Sequence, residues 1–262
     1  MTKQIDFSKF SSIKVGPVAD VSIVNDCSDL PLDAYIIGSC SNVLVGDNPP
    51  PLCMLSKEYD YIKLDNGLLR IGAATPSGKI ASFCKKHDIG SFEFLSHLPG
   101  KLGGLVKMNA GLKEYEICNN LVYLRTCEGE FKKEAVEFGY RYTKIDGLIL
   151  EATFAYTQGF DTAKVDMFKK MRSNQPGTPS AGSCFKNPPG DYAGRLIEAV
   201  GLKGKRVGGM GWSEVHANFL VNYGKGTFHE AMELIKEAEK RVLERFSIAL
   251  EREIIVLDNS LS

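Results

Sequence analysis

Short apolar runs separated by turn residues fill the first part of the chain, at 21–24, 35–37, 43–45 and 52–55. Runs this brief, bounded by Gly, Pro, Asn and Ser, predict short strands, several of them buried on both faces. Two further runs flank Asn66-Gly67 within 61–73, a pair that signals a tight hairpin. Residues 77–87 fit a helix, with Ile80, Phe83, Cys84 and His87 on one face and Gly90 beyond its end. Strands are predicted again at 121–126 and 148–156. From about residue 160 the texture becomes helical, with helices expected at 161–172, 191–200 and 227–246. The last carries Phe228, Met232, Ile235, Ala238, Val242 and Phe246 at helical spacing, and Met232 and Phe246 are expected in the core. A buried strand at 254–257 ends the pattern. Strands followed by helices predict an α+β fold, with a boundary near Thr157-Gln158-Gly159.

Three segments depart from this rhythm. Gly38-Ser39-Cys40-Ser41-Asn42 is a polar turn between two strands, able to aim consecutive N–H groups into one concavity suited to phosphate. It has neither the glycine spacing nor the following helix of a Rossmann fingerprint, and a plain hairpin turn would look much the same. Between 98 and 111, Pro99-Gly100, Gly103-Gly104 and Ala110-Gly111 leave little bulk where backbone could approach a ligand. Two such loops could clasp a long ligand with a pyrophosphate at its middle. The third segment is Ala181-Gly182-Ser183-Cys184-Phe185-Lys186-Asn187-Pro188. It sets a hydroxyl among small residues with a cation and an amide beyond, although these are also turn formers in their own right.

Composition narrows the classes. Lysine plus arginine and aspartate plus glutamate are 32 each, so no long-range field favours nucleic acid. The N-terminus lacks the apolar core of a signal peptide and no apolar run is long enough to span a bilayer, so a cytoplasmic, membrane-free protein is expected. Seven scattered cysteines without a Cys-x-x-Cys pair predict reduced thiols, and four isolated histidines make a metal centre unexpected.

The two loops and the octapeptide occur in order with Tyr140-Arg141-Tyr142-Thr143, Ala193-Gly194-Arg195-Leu196-Ile197-Glu198, His216-Ala217-Asn218-Phe219 and Leu250-Glu251-Arg252-Glu253-Ile254. This ordered set, from about residue 10 to 258, resembles the UDP-N-acetylenolpyruvoylglucosamine reductase family. The short stretch from Arg141 to Ser183 resembles its shorter subtype, which lacks a tyrosine-bearing loop. The resemblance implies a flavin-binding region of two sub-domains of the vanillyl-alcohol-oxidase (PCMH) type, 1–55 and 56–157. An α+β substrate-binding domain, 158–262, would follow. It implies dissociable FAD, NADPH as reductant, a UDP-sugar enolpyruvyl ether as small-molecule substrate, a monomer, and a place in peptidoglycan synthesis. Four positions depart from the family pattern: Cys40 and His97 stand where glycine is common, Thr143 where serine is usual, and Asn174 where a basic residue is usual.

The resemblance also implies roles. Gly38, Ser39, Cys40, Ser41, Asn42, Pro99, Gly100, Gly103, Gly104, Asn109 and Ala110 would hold FAD. Ser183 would donate a proton to the substrate, with Arg141 and Glu253 stabilising an enolate-like charge. Glu251 and Glu253 would share one strand face, so spacing does not separate them; the family match selects Glu253. Tyr140, Arg172, Lys186, Asn187 and His216 would contact the substrate, Arg172 being the nearest cation for its diphosphate. His216 fits a structural histidine equally well, and Cys184 reads as packing. A different flavoenzyme of the same FAD fold, or a catalytically silent flavin- or nucleotide-sugar-binding protein, are the competing readings.

Overall fold

The computed structural model describes residues 1–261. The chain forms two compact units, one of Met1, 22–38 and 53–173, the other of 2–21, 39–52 and 174–262. After residue 2 it passes from one to the other within the strand Val18–Val24, at 38–39, within the strand Leu52–Leu55 and at 173–174.

The first unit is built on a five-stranded antiparallel sheet, in the order Gly129–Lys132, Leu121–Thr126, Ile149–Phe154, Leu68–Gly72, Ile62–Asp65. The Asn66-Gly67 hairpin forms as expected, with both residues at positive φ (49° and 75°) and Asp65 paired to Leu68. Leu124, Ala152 and Ile71 lie side by side in register and are fully buried. Against them pack Ile80 and Cys84 of the helix Ser77–Lys86, Leu102 and Val106 of Leu102–Lys107, and Phe168 of Thr162–Met171. Phe168 meets Phe94 and Tyr115 edge-on, which ties its helix to this unit. For that reason the expected boundary near 157 does not coincide with the compact units.

The second unit carries a four-stranded antiparallel sheet, Ser180–Ser183, Phe219–Asn222, Met210–Trp212, Arg206–Val207. The helix Phe228–Phe246 buries Ala231, Met232, Leu234, Ile235, Ala238 and Val242. A capping box of Thr227 and Glu230 starts it, and Ser247 at φ 56° ends it. Phe246 is only partly buried, since its ring lies against the Arg195 and Arg245 guanidiniums. The expected helical texture after 160 is thus interrupted by a sheet. Of the N-terminal residues, 22–38 join the first unit, and 2–21 and 39–52 join this one. Ile13, Val15 and Leu44 enter its core, Asn222 donates to the carbonyls of Ile13 and Lys14, and Val43–Val45 pairs in parallel with Ile255–Leu257.

The expectation that all seven cysteines are free thiols is corrected. Cys27 and Cys127 form a disulfide, with Cα atoms 5.5 Å apart although 100 residues separate them. The fold, not the local spacing, brings them together. The other five are buried.

Candidate active site

The second glycine loop is pinned from behind by the start of the helix Ser77–Lys86. Ser77 donates through Oγ to the Leu98 carbonyl (2.5 Å) and through N–H to Gly100 (3.0 Å). Leu102 and Gly103 donate to Thr75 and Ala73, both at 2.9 Å. A Cβ on Gly103 would come within 3.2 Å of the Ala73 side chain, so glycine permits this approach, whereas a Cβ on Gly104 would meet nothing within 4 Å. Gly100 sits at φ 135°. Asn109 is buried with all its side-chain polar atoms occupied. Nδ2 donates to Glu116 Oε2 (2.9 Å) and the Gly139 carbonyl (3.2 Å), and Oδ1 accepts from Cys118 N–H. The main-chain N–H groups of Asn109 and Ala110 are likewise spent within the protein, on the carbonyls of Val106 (3.0 Å) and Leu105 (2.8 Å).

The Tyr-Arg motif stands on that loop. Glu137–Gly139 and Tyr142–Lys144 form a hairpin with Tyr140 and Arg141 at its tip. Thr143, buried, donates to the Val106 carbonyl at 2.6 Å, and Asn109 holds Gly139. The hydroxyl of the motif's last residue is therefore a structural anchor, and threonine keeps it. Arg141 has φ 59°, a left-handed conformation costly for a non-glycine residue and common where function fixes the backbone. Its guanidinium lies 5.1 Å from the exposed Tyr140 ring. Arg172 is half-buried just past Thr162–Met171. Burial, and then the charge of Arg141, lowers its pKa below the ordinary arginine value. No carboxylate among the described residues pairs with Arg172. Arg141 and Arg172 together make a cationic place with one arginine uncompensated, suited to an anion.

In the second unit, most of the first glycine loop lies against the C-terminal strand. Cys40 takes φ 49°, which explains why glycine is favoured there, and its side chain is buried in the protein interior rather than toward solvent. Its carbonyl accepts from Ser12 N–H and Oγ, both at 3.2 Å. Asn42 Nδ2 donates to the Glu253 carbonyl at 2.8 Å, and Asn42 accepts from Ile255 N–H. Gly38 belongs to the first unit, where a Cβ would lie 3.8 Å from the Lys101 side chain.

Ser183 ends its strand opposite Phe219, after an irregularity in the pairing and after Gly182 at φ 76°. Glu253 N–H and Ile254 N–H both donate to the Cys184 carbonyl, at 2.9 and 3.1 Å. Cys184 itself is fully buried, and burial pushes its thiol well above the usual range, so it stays a neutral packing residue. Asn218 clamps the segment, accepting from Phe185 N–H (3.0 Å) and donating to its carbonyl (2.8 Å). Its place in His216-Ala217-Asn218-Phe219 is the sequence signal for this clamp.

The two acids that spacing left equivalent are now distinct. Glu251 is exposed and pairs with Lys186 at 2.5 Å, while its carbonyl accepts from Lys186 N–H. Lys186 is thus neutralised where it stands. Asn187 Oδ1 accepts from Ala193 N–H at the start of the helix Ala193–Ala199. His216 Nδ1 accepts from Asn218 N–H, its ring packs edge-on to Phe219 at 5.0 Å, and burial holds its pKa below the usual value. Both act in the scaffold. In sum, the second unit brings Ser183, Glu253 and Asn42 onto adjoining segments, and the first brings Arg141, Arg172 and the second glycine loop together.

Two buried side-chain atoms in these segments have no hydrogen-bond partner among the described residues: Ser39 Oγ in the first loop and His97 Nε2 at the entrance to the second.

Residues 174–257 match the family described as UDP-N-acetylenolpyruvoylglucosamine reductase, C-terminal domain. The protein named UDP-N-acetylenolpyruvoylglucosamine reductase of Helicobacter hepaticus is 46% identical over 98% of this chain and 99% of its own length. That of Campylobacter jejuni is 43% identical over 97% and 99%. The crystal structure of UDP-N-acetylenolpyruvylglucosamine reductase (MurB) from Thermus caldophilus superposes with a TM-score of 0.87 at 27% identity, covering 98% of this chain and 99% of that one. The chain therefore belongs to the UDP-N-acetylenolpyruvoylglucosamine reductase family and is an oxidoreductase of α+β fold.

Proposed function

We propose that this chain reduces the enolpyruvyl ether of UDP-N-acetylglucosamine to UDP-N-acetylmuramate, a step of peptidoglycan synthesis. It would act as a cytoplasmic monomer with dissociable FAD and with NADPH as reductant. The two glycine loops fit FAD on three counts. Gly100 and Cys40 hold the backbone in left-handed or extended-positive conformations, Gly104 opens onto free space, and Ser39 Oγ and His97 Nε2 are buried polar atoms that a bound ligand would satisfy.

The residues of Gly38–Asn42 and Pro99–Ala110 would hold FAD, which would supply the hydride that C3 of the enolpyruvyl double bond takes, with NADPH as its reductant. Ser183 gives its hydroxyl proton to C2, which completes the saturated lactyl ether; the serine regains a proton from solvent afterwards. Arg141 holds the substrate carboxylate in its planar fork, where negative charge grows as C3 is attacked. Glu253 polarises that carboxylate. Arg172, which pairs with no acid among the described residues, takes the diphosphate, and Tyr140 offers an exposed ring beside Arg141. Lys186 can reach a substrate only by leaving Glu251, so its contribution is smaller. Asn187 and His216 shape the substrate wall through the start of Ala193–Ala199 and through Asn218.

One observation carries this reading. The Glu253 N–H bonds the Cys184 carbonyl next to Ser183, while the Glu253 carbonyl is held by Asn42 of the first glycine loop. The segments of Ser183, Glu253 and Asn42 are thus tied by one main-chain bond and one side-chain-to-main-chain bond, neither of which depends on a ligand. The test is to load the protein with FAD, reduce it anaerobically with NADPH, and add the enolpyruvyl sugar nucleotide. Reoxidation of the flavin by that compound supports the proposal. Reoxidation by oxygen alone, or no flavin uptake, contradicts it.

A further inference from the structure

His97 has no part in the chemistry above, yet its placement is tightly determined. It is the last residue of the 3-10 turn Glu93–His97, and the three residues that open the turn, Glu93, Phe94 and Leu95, are buried. On its other side the chain is pinned by Ser77, through the carbonyls of Leu98 and Gly100. The backbone at His97 therefore cannot swing without lifting Phe94 and Leu95 from the core. From that fixed point the ring carries Nε2 to a position shut off from solvent, where nothing donates to it or accepts from it.

A buried ring nitrogen with no partner is a net loss to the fold, because water satisfied it in the unfolded chain. Only four buried side-chain atoms among the described residues share this condition. Arg125 Nε still faces a carboxylate, 3.9 Å from Glu151 Oε1. Trp212 Nε1 lies in the core of the second unit. The other two are Ser39, in the first glycine loop, and His97, at the entrance to the second. An imidazole suits such a place, since Nε2 donates in one neutral tautomer and accepts in the other.

We propose that His97 is a positioning residue for the flavin, bonding it non-covalently through Nε2. The proposal rests on the flavin reading above. It makes an unusual pair of demands on one substitution. His97→Phe keeps a flat ring but removes the nitrogen, so it relieves the ligand-free protein and penalises the loaded one.

The experiment measures FAD binding to the flavin-stripped full chain, by quenching of FAD fluorescence, together with the melting temperature of the flavin-free form. His97→Phe is expected to raise the FAD dissociation constant about five- to tenfold while leaving the flavin-free melting temperature unchanged or higher. His97→Gln, which can place an amide near the Nε2 position, is expected to return affinity to within about threefold of the parent. An unchanged dissociation constant in His97→Phe overturns the proposal, and flavin retained in the acid-precipitated pellet of the parent overturns it in favour of a covalent link. Failure of the parent to take up FAD overturns the flavin reading itself and this inference with it, which separates the two. Should His97→Phe not fold, the parent still decides. It has four histidines, so 15N-histidine spectra can follow each ring, and FAD must move the His97 Nε2 resonance. A stationary resonance overturns the proposal.

Discussion

Ser183 and Arg141 are held in opposite ways. Around Ser183 the support is main chain: Cys184 bonds Asn218, Glu253 and Ile254 through backbone groups, and the side chains that help, Asn218 and Asn42, bond backbone in their turn. Arg141 instead sits at the tip of a two-residue hairpin turn at φ 59°, supported from below by the side chains of Thr143 and Asn109. The proton donor proposed at Ser183 gains from a rigid ladder. The carboxylate-holding role proposed for Arg141 is compatible with a lever, at the cost of backbone strain that its two anchors must offset.

The comparison can be broken most sharply at the chemistry. Ser183→Ala is expected to lower turnover about 10²–10⁴-fold with FAD affinity unchanged, as measured by steady-state NADPH consumption and flavin titration. A loss shared with Cys184→Ala would instead implicate the thiol, whose burial argues against it.

Next come the supports. Asn218→Ala leaves the N–H and carbonyl of buried Phe185 unmatched and is expected to cost about 2–4 kcal/mol in denaturant unfolding. Thr143→Val is expected to cost only about 1 kcal/mol, because the Val106 carbonyl keeps its bond from Asn109 N–H. Its larger effect should fall on KM, through a less well-placed Arg141. Equal stability losses in the two variants would erase the contrast between ladder and lever.

Cys27→Ser tests the first unit as a whole. Removing a cross-link that closes 100 residues is expected to destabilise it by about 2–4 kcal/mol in non-reducing buffer, and to have no effect once a dithiol reductant has opened the bond in the parent.

The smallest effect is on pH dependence. Burial holds the His216 pKa below its ordinary value of 6.5, so the unfolded chain binds the proton more readily. Stability is then lost as pH falls through 6.5 toward the folded pKa, and is level above it. His216→Gln is expected to flatten that part of a plot of melting temperature against pH.

Much of the fold could be read from the chain because its elements obey simple periods. The helix at 228–246 carries a clean apolar stripe, and Asn66-Gly67 marks its hairpin by the φ values it permits. The sheet of the second unit escaped because its strands run through Gly182 and Gly211, with Gly208 and Gly209 between two of them, so no alternation of side chains announces them. The disulfide and the pairing of 43–45 with 255–257 join residues far apart in sequence, which local pattern does not encode. At the site, motif order pointed to Ser183, Arg141 and Glu253. It did not reveal that Lys186 is neutralised by Glu251, that the Asn109 amide is spent within the protein, or that Asn218 is the clamp. Those depend on which partner each polar atom finds in the folded chain.

The central claim is that Ser183 serves only the second half of the reaction. Anaerobic single-turnover mixing of the FAD-loaded Ser183→Ala variant tests it directly, first with NADPH and then with the enolpyruvyl sugar nucleotide. The account predicts flavin reduction at the parent rate and product formation slowed about 10²-fold or more. Product formation at the parent rate, or equal slowing of both halves, would contradict it.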